Sequence, residues 1–200
     1  MMKQYFPLLR FVLILTAFTS VIFVGMEMWT RPLIVANASA EFKTTILDAY
    51  GISYTTPTIN STFEEKVEIV KIDDLNFYVD KVSKKVSVQI SGSGVWGPII
   101  GIMTLEPDFK TISRIRITQQ EETPGLGGIV ATIPYLNKYV GVAFSENEPY
   151  INILKPQDQT GANNEVDSIT GATRTSNAFK VILNTDYAAY AAAWAKAGNK

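Results

Sequence analysis

Hydrophobic and polar positions divide the chain into segments of different kinds. From Phe11 to Met26, sixteen residues run without a charge. As a helix rising about 1.5 Å per residue, this run covers roughly 24 Å of a roughly 30 Å hydrocarbon layer. Tyr5 to Leu9 close the deficit, with Arg10 reaching outward along its aliphatic stem and Trp29 at the opposite interface. A helix of a soluble core would carry a polar stripe, and this run has none. The triplets Ala36-Asn37-Ala38 and Ala38-Ser39-Ala40 have the small-x-small form of signal-peptide cleavage sites. They lie well beyond the apolar run, so an uncleaved single-pass anchor is expected. Residues 37 to 50 read as a helix that continues from it, with Ala40, Phe42, Ile46, Leu47 and Tyr50 mostly three or four apart and Gly51 as the stop.

The polar stretch 53 to 62, SYTTPTINST, reads as a linker or surface loop. Beyond it the period changes from helical to two. Alternation in Lys85 to Ile90, in Ile99 to Leu105 and in Ile112 to Ile117 predicts three strands, joined by the Gly-rich SGSGVWGP turn and the acidic EPDFK turn. Such alternation belongs to an antiparallel meander with one buried face. A fourth strand is expected at Tyr150 to Leu154. From Ser176 to Ala197 an Ala-rich helix presents Phe179, Ile182, Leu183, Tyr187, Tyr190 and Trp194 as its apolar face. The expected fold class is α+β: an N-terminal transmembrane helix, an antiparallel β-meander with flanking helices, and a long C-terminal helix. The expected organisation is a membrane anchor at 1–35, a juxtamembrane helix and linker at 36–62, and a globular domain at 63–200.

Composition narrows the chemistry. The chain contains no Cys and no His, which removes disulfide frameworks, the usual zinc and iron–sulfur ligands, Cys nucleophiles and Ser–His triads; no metal site is expected. Eighteen basic against nineteen acidic residues give no cationic field for nucleic acid. Residues 1–35 carry net +2 and the remainder net −3. Lys3 and Arg10 before the span, against Arg31 after it, favour an inside amino terminus and an extracytoplasmic domain.

Two loops have compositions that core packing does not demand. In Glu121-Glu122-Thr123-Pro124-Gly125-Leu126-Gly127-Gly128, a rigid Pro and three Gly in four residues allow a tight backbone excursion with exposed N–H groups, suited to a planar or anionic ligand. An ordinary turn has the same composition. In Asp167 to Ser176, DSITGATRTS, Thr175 or Ser176 is the expected N-cap of the terminal helix. Thr173 then sits near a helix amino terminus, where N–H groups and the dipole favour a phosphate, and Arg174 reinforces that preference or solvates the helix start. A plain capped helix start reads equally well.

Asp-x-x-Thr-Gly-Ala-Thr at 167–173, paired with Glu-Thr-Pro-Gly-Leu-Gly at 122–127, resembles the FMN-binding domain shared by NqrC and RnfG. These are flavin subunits of the sodium-pumping NADH:quinone reductase and of the related Rnf complex. The wording Gly94-Val95-Trp96-Gly97-Pro98-Ile99 and the leader and helix pattern RPLIVANASAEFKTTILDAYGI are closer to the NqrC branch. The resemblance covers most of the chain. It implies that Thr173 is esterified by the phosphate of FMN, and that a flavin transferase installs the group from FAD, recognising the motif around Asp167. Thr170, Gly171, Ala172 and Arg174 then belong to the cofactor site. So do Glu122, Thr123, Pro124, Gly125, Leu126 and Gly127, which line the isoalloxazine ring. Trp96 contributes a stacking surface or is a buried aromatic at a strand end.

The resemblance further implies an electron-transfer role in an ion-translocating NADH:quinone reductase of the bacterial inner membrane, with other redox subunits as partners and no independent turnover. The chain departs from the family in one place. Where members often carry a His two residues before the motif's Glu, it has Gln120, which puts in doubt any proton-transfer role at that position. An RnfG-type or free-standing flavin carrier, and a non-redox anchored binding module in which Thr173 is only part of a cap, are the alternatives.

Overall fold

The computed structural model describes residues 2–198, with side chains from residue 6 onward. Lys3 and Tyr5, which contribute to the expected span and its orientation, lie outside the described side chains. The chain divides into two compact units, Met1–Glu41 and Phe42–Lys200. Helix α1 (Met2–Tyr50) runs through the first unit and into the second, so the apolar run and the helix after it are one element, as expected. Its residues from Phe6 on are long and apolar enough to cross a membrane, and the most apolar stretch is not buried against protein at all. Phe11, Ile14, Phe23 and Trp29 are all exposed. An apolar helix with nothing covering it has the composition of a lipid-facing segment rather than of a core helix.

The second unit is built on a five-stranded antiparallel sheet in sequence order: β1 (Val67–Ile72), β2 (Leu75–Asp80), β3 (Val86–Ser93), β4 (Pro98–Leu105) and β5 (Ile112–Gln119). The three strands expected from alternation are β3, β4 and β5. β1 and β2 precede them and were not anticipated. On β3 and β4 the odd and even sides separate cleanly. Val88, Ile90, Ile99 and Met103 face the main core, which is closed by Phe179, Ile182, Leu183 and Tyr187 of α4 (Thr173–Lys196). Ser87, Ile102 and Thr104 face the other way.

That second face was expected to meet solvent, and it does so only in part: Gln89 and Ser91 are exposed, while the region around Ile102 is covered. Ile46 and Leu47, both fully buried, lie with Phe63 of α2 (Ile59–Lys66) over Ile102, and the Tyr50 hydroxyl donates to the Tyr78 carbonyl. Under this cover the cross-strand pair Ser87 and Thr104 share a hydrogen bond of 2.8 Å, which satisfies two buried hydroxyls. Alternation could not reveal the cover, because small hydroxyl side chains read as polar whether they meet water or each other.

The stretch 53–62, expected as a linker, holds a short 3-10 turn at Thr56–Thr58 and the start of α2. Short α3 (Ile133–Leu136) follows the sheet. The strand expected at Tyr150 to Leu154 exists as β6 (Asn152–Leu154). It lies apart from the meander, pairing in parallel with β7 (Glu165–Asp167). This small pair delivers the chain to the start of α4.

Candidate cofactor site

Three chain segments far apart in sequence meet at the amino-terminal end of α4. The first is the turn between β3 and β4. It closes through the Gly94 N–H donating to the Gly97 carbonyl (2.8 Å) and carries Trp96 at its tip, 70% exposed. Trp96 is therefore not a buried strand-end aromatic. Beside this turn an open groove of ≈ 630 Å³ is lined by Ser91 to Pro98 and Ile100.

The second segment is the loop 121–128. Gly125 adopts φ +75°, the left-handed conformation anticipated for a Pro-Gly turn. The N–H groups of Leu126 and Gly128 were expected to face outward, yet both turn back onto the Thr123 carbonyl (3.1 and 2.9 Å). The loop is thereby a self-closed platform: Thr123, Pro124, Gly125 and Leu126 are exposed on its rim while Gly127 and Glu122 are buried beneath. Within that platform Glu122 is 4% exposed, and each of its carboxylate oxygens is hydrogen-bonded. Oε1 accepts the N–H groups of Val95 (2.6 Å) and Trp96 (3.2 Å), and Oε2 accepts the hydroxyl of Thr175 (2.7 Å). Gln120 steadies the Glu122 backbone N–H through its side-chain oxygen (2.6 Å). Burial pushes the Glu122 carboxyl up, but the hydrogen bonds from Thr175, Val95 and Trp96 outweigh it and hold the group below the ordinary carboxylate value.

Glycines make room for this carboxylate. A Cβ on Gly94 would stand 2.5 Å from Glu122 Oε1, and one on Gly127 would stand 2.6 Å from both Glu122 Oε2 and Thr175 Oγ1. A Cβ on Gly97 would collide with the Glu121 side chain in the same way. The Gly-rich spelling of both loops is thus partly explained by close approach to two carboxylates.

The third segment is the helix start. Thr175 and Ser176, expected as caps, sit inside the first turn and are buried. Ser176 Oγ accepts the Ile169 N–H (2.9 Å) and donates to the Ala172 carbonyl (3.1 Å), while Thr175 is spent on Glu122. The helix instead begins at Thr173, with Ala172 in the N-cap position and no side-chain cap. Its first N–H groups therefore have no side-chain acceptor, the arrangement that favours an anion. Thr170, Gly171, Thr173 and Arg174 are exposed around that end, and among the described residues neither the Thr173 hydroxyl nor the Arg174 guanidinium has a hydrogen-bond or ion-pair partner. Gly171 holds φ +79°, and the one side-chain atom within ordinary contact of a Cβ there is Leu126 Cδ2 (3.4 Å). Leu126 thus leans toward the helix start across the gap between the two motifs.

Asp167, at the end of β7, is tied down. Lys138 Nζ donates to Oδ2 (2.8 Å) and Gln159 to Oδ1 (2.9 Å); the Lys138 contact is the main cause that holds the carboxyl below its ordinary value. Sequence reasoning missed Thr175 as the partner of Glu122, Lys138 as the partner of Asp167, and Gly94 and Gly97 as spacers. Only the glycines left a signal, their spacing in SGSGVWGP.

The donor set suits the phosphate end of a flavin nucleotide. An unpartnered threonine hydroxyl, a free cation and an uncapped helix start converge where phosphate oxygens need donors, and Leu126 and Trp96 offer apolar surface nearby.

A family model described as an FMN-binding domain matches residues 94–187, which contain all three segments. The NqrC protein of the Na(+)-translocating NADH-quinone reductase of Vibrio anguillarum is 38% identical over 100 residues, covering 49% of this chain and 39% of the relative. The corresponding protein of Yersinia pestis is 32% identical over 102 residues, covering 50% of this chain and 38% of the relative. The matched region thus spans about two fifths of the length of these curated relatives. In fold, the chain resembles the crystal structure of Shewanella oneidensis NqrC (TM-score 0.65, 18% identity, 76% of this chain and 93% of that one). It resembles the crystal structure of the same reductase component from Parabacteroides distasonis to the same degree (TM-score 0.65, 22% identity, 78% and 92%). Residues 94–187 are thus similar to the FMN-binding domain, and about half of the chain is similar to part of the NqrC proteins of the Na(+)-translocating NADH-quinone reductases.

Proposed function

We propose that the protein carries FMN covalently on Thr173 and serves, as its NqrC relatives' name indicates, as a membrane-anchored electron-transfer subunit of an NADH-quinone reductase. The observation that supports this most is the exposed Thr173 hydroxyl, unpartnered, at the first position of an uncapped 24-residue helix. In attachment, the Thr173 oxygen bonds to the riboflavin-side phosphorus of FAD supplied by a flavin transferase. The pyrophosphate bond breaks, AMP leaves, and the hydroxyl proton passes to base. The transferase reads the segment around Asp167. The remaining phosphodiester charge is stabilised by the helix N–H groups and Arg174. Gly171 and Ala172 keep bulk away from the acceptor oxygen, Thr170 borders it, and Leu126, Pro124 and Trp96 border the flavin ring.

Bound FMN supplies single-electron transfer between a donor and an acceptor on neighbouring subunits. The chain's own part is to tether, orient and shield the group, and α1 keeps it at the membrane in a single pass, amino terminus inside and domain outside. Tethering prevents loss of the cofactor where free flavin is scarce.

The test is denaturing gel electrophoresis of the protein co-expressed with a flavin transferase, viewed under ultraviolet light. A fluorescent wild-type band that disappears in Thr173→Ala is expected; a dark wild-type band removes the proposal. Purification of the native complex and identification of its subunits then tests the assignment to the reductase.

A further inference from the structure

Glu122 stands in the motif expected to bind the cofactor, but its carboxylate is buried and both of its oxygens already accept hydrogen bonds from within the protein. What it joins is informative. One oxygen holds the backbone at Val95 and Trp96, and the other holds Thr175, two residues after Thr173. Trp96 itself is 70% exposed and takes part in no aromatic contact among the described residues, so packing does not hold its ring in place. The turn that carries it has glycines at both ends, Gly94 and Gly97, and little intrinsic stiffness. Beyond the closure of the turn on itself, the carboxylate of Glu122 is what fixes the Trp96 backbone, and it does so relative to the start of α4. Gly94 and Gly127 press so closely on the two carboxylate oxygens that a methyl group at either position would displace them. A turn that needed only to reverse the chain would not require this fit.

We propose that Glu122 is a positioning residue: by clamping the Trp96 turn to the first turn of α4, it holds the Trp96 ring against the flavin carried on Thr173. The inference rests on the reading of Thr173 as the FMN acceptor and adds to it how the wall of the site is kept in place. An indole in contact with a flavin quenches its fluorescence by donating an electron to the excited ring, so the position of Trp96 is directly readable.

The experiment uses the full-length protein, co-expressed with a flavin transferase and purified in detergent, with intact mass confirming one flavin per chain. Wild type, Trp96→Phe, Glu122→Ala, Glu122→Gln and Gly94→Ala are compared by flavin emission per bound flavin. Low emission in the wild type, a clear rise in W96F, and a rise to the same level in E122A are expected, with the E122A/W96F double variant no brighter than either. G94A, which leaves the carboxylate but displaces the turn, also rises, and it serves if E122A does not fold. E122Q stays near wild type, because its amide oxygen accepts from Val95 and Trp96 while its amide nitrogen donates to the Thr175 hydroxyl. Unchanged emission in W96F, or in both E122A and G94A, overturns the proposal. Emission in E122Q as high as in E122A assigns the effect to charge and overturns it too. A wild-type chain with no flavin on Thr173 sinks the underlying reading instead.

Discussion

Replacing Thr175 by Val tests the clamp without altering the carboxylate or Thr173 itself. Valine keeps the shape of threonine and removes the hydroxyl, so Glu122 Oε2 loses its 2.7 Å donor and faces a methyl group in a site that is 4% exposed. A hydrogen bond to a charged group contributes about 1.5–3 kcal/mol. For a unit the size of Phe42–Lys200, each kcal/mol moves the melting temperature by roughly 2–4 °C, so T175V should melt roughly 3–12 °C below wild type at neutral pH. Thr175→Ser, which restores the hydroxyl, should recover most of the loss.

The pH dependence has a definite sign. The folded-state pKa of Glu122 lies below its ordinary value, so the stability it contributes is present above the unfolded value of about 4.3 and is lost as pH falls through the folded value. T175V has one donor fewer and a higher folded value, so it loses its share first, and the gap between the two proteins narrows below about pH 4. The assay is thermal unfolding followed by circular dichroism at about pH 7 and again at about pH 4. A T175V melt within a degree or so of wild type at neutral pH, or a gap that widens on acidification, would refute the hydrogen bond between Thr175 and Glu122.

Leu47→Ala should destabilise the domain by about 2–5 kcal/mol in denaturant titration, because Leu47 is fully buried against the back of the sheet; a cost below about 1 kcal/mol would mean that this end of α1 is not part of the domain core. The Lys138–Asp167 pair is more than a third exposed on both sides and should be worth at most about 1 kcal/mol, so Lys138→Met should barely move the melt. Asp167→Asn should likewise keep its melt while losing covalent flavin in gel fluorescence, and a fully fluorescent D167N band would show that the transferase does not read this carboxylate.

Several elements were legible from local pattern alone. The charge-free run in α1, the period-two alternation of β3 to β5 and the apolar face of α4 each record burial or its absence in the spacing of neighbouring residues, and the structure has the same elements. β1 and β2 escaped because their charged and apolar residues do not alternate cleanly: Val67 and Phe77 are buried, while Ile69 is exposed. The two candidate cofactor segments were also legible, as compositions too rich in Gly, Thr and Pro for a core. Their internal roles were not. Thr175 looks like a helix cap in sequence because a cap is a local event, and only the fold brings in a carboxylate 53 residues away to claim its hydroxyl.

The amino-acid sequence by itself determined that the chain has an apolar amino-terminal helix, a meander and a terminal helix, that it lacks the side chains for the usual metal or thiol chemistry, and that residues 122–127 and 167–173 are its chemically unusual loops. These follow from side-chain polarity and backbone preference within a few residues. The tertiary structure decided what the loops are to one another: Trp96 at the surface, Thr173 as the first residue of an uncapped helix, the second sheet face covered in part by Ile46 and Leu47, and Glu122 joining a turn 27 residues before it to a helix 53 residues after it. Hydrogen bonds between such distant groups depend on how the sheet and α4 pack, a sum over many contacts that no short window of sequence contains.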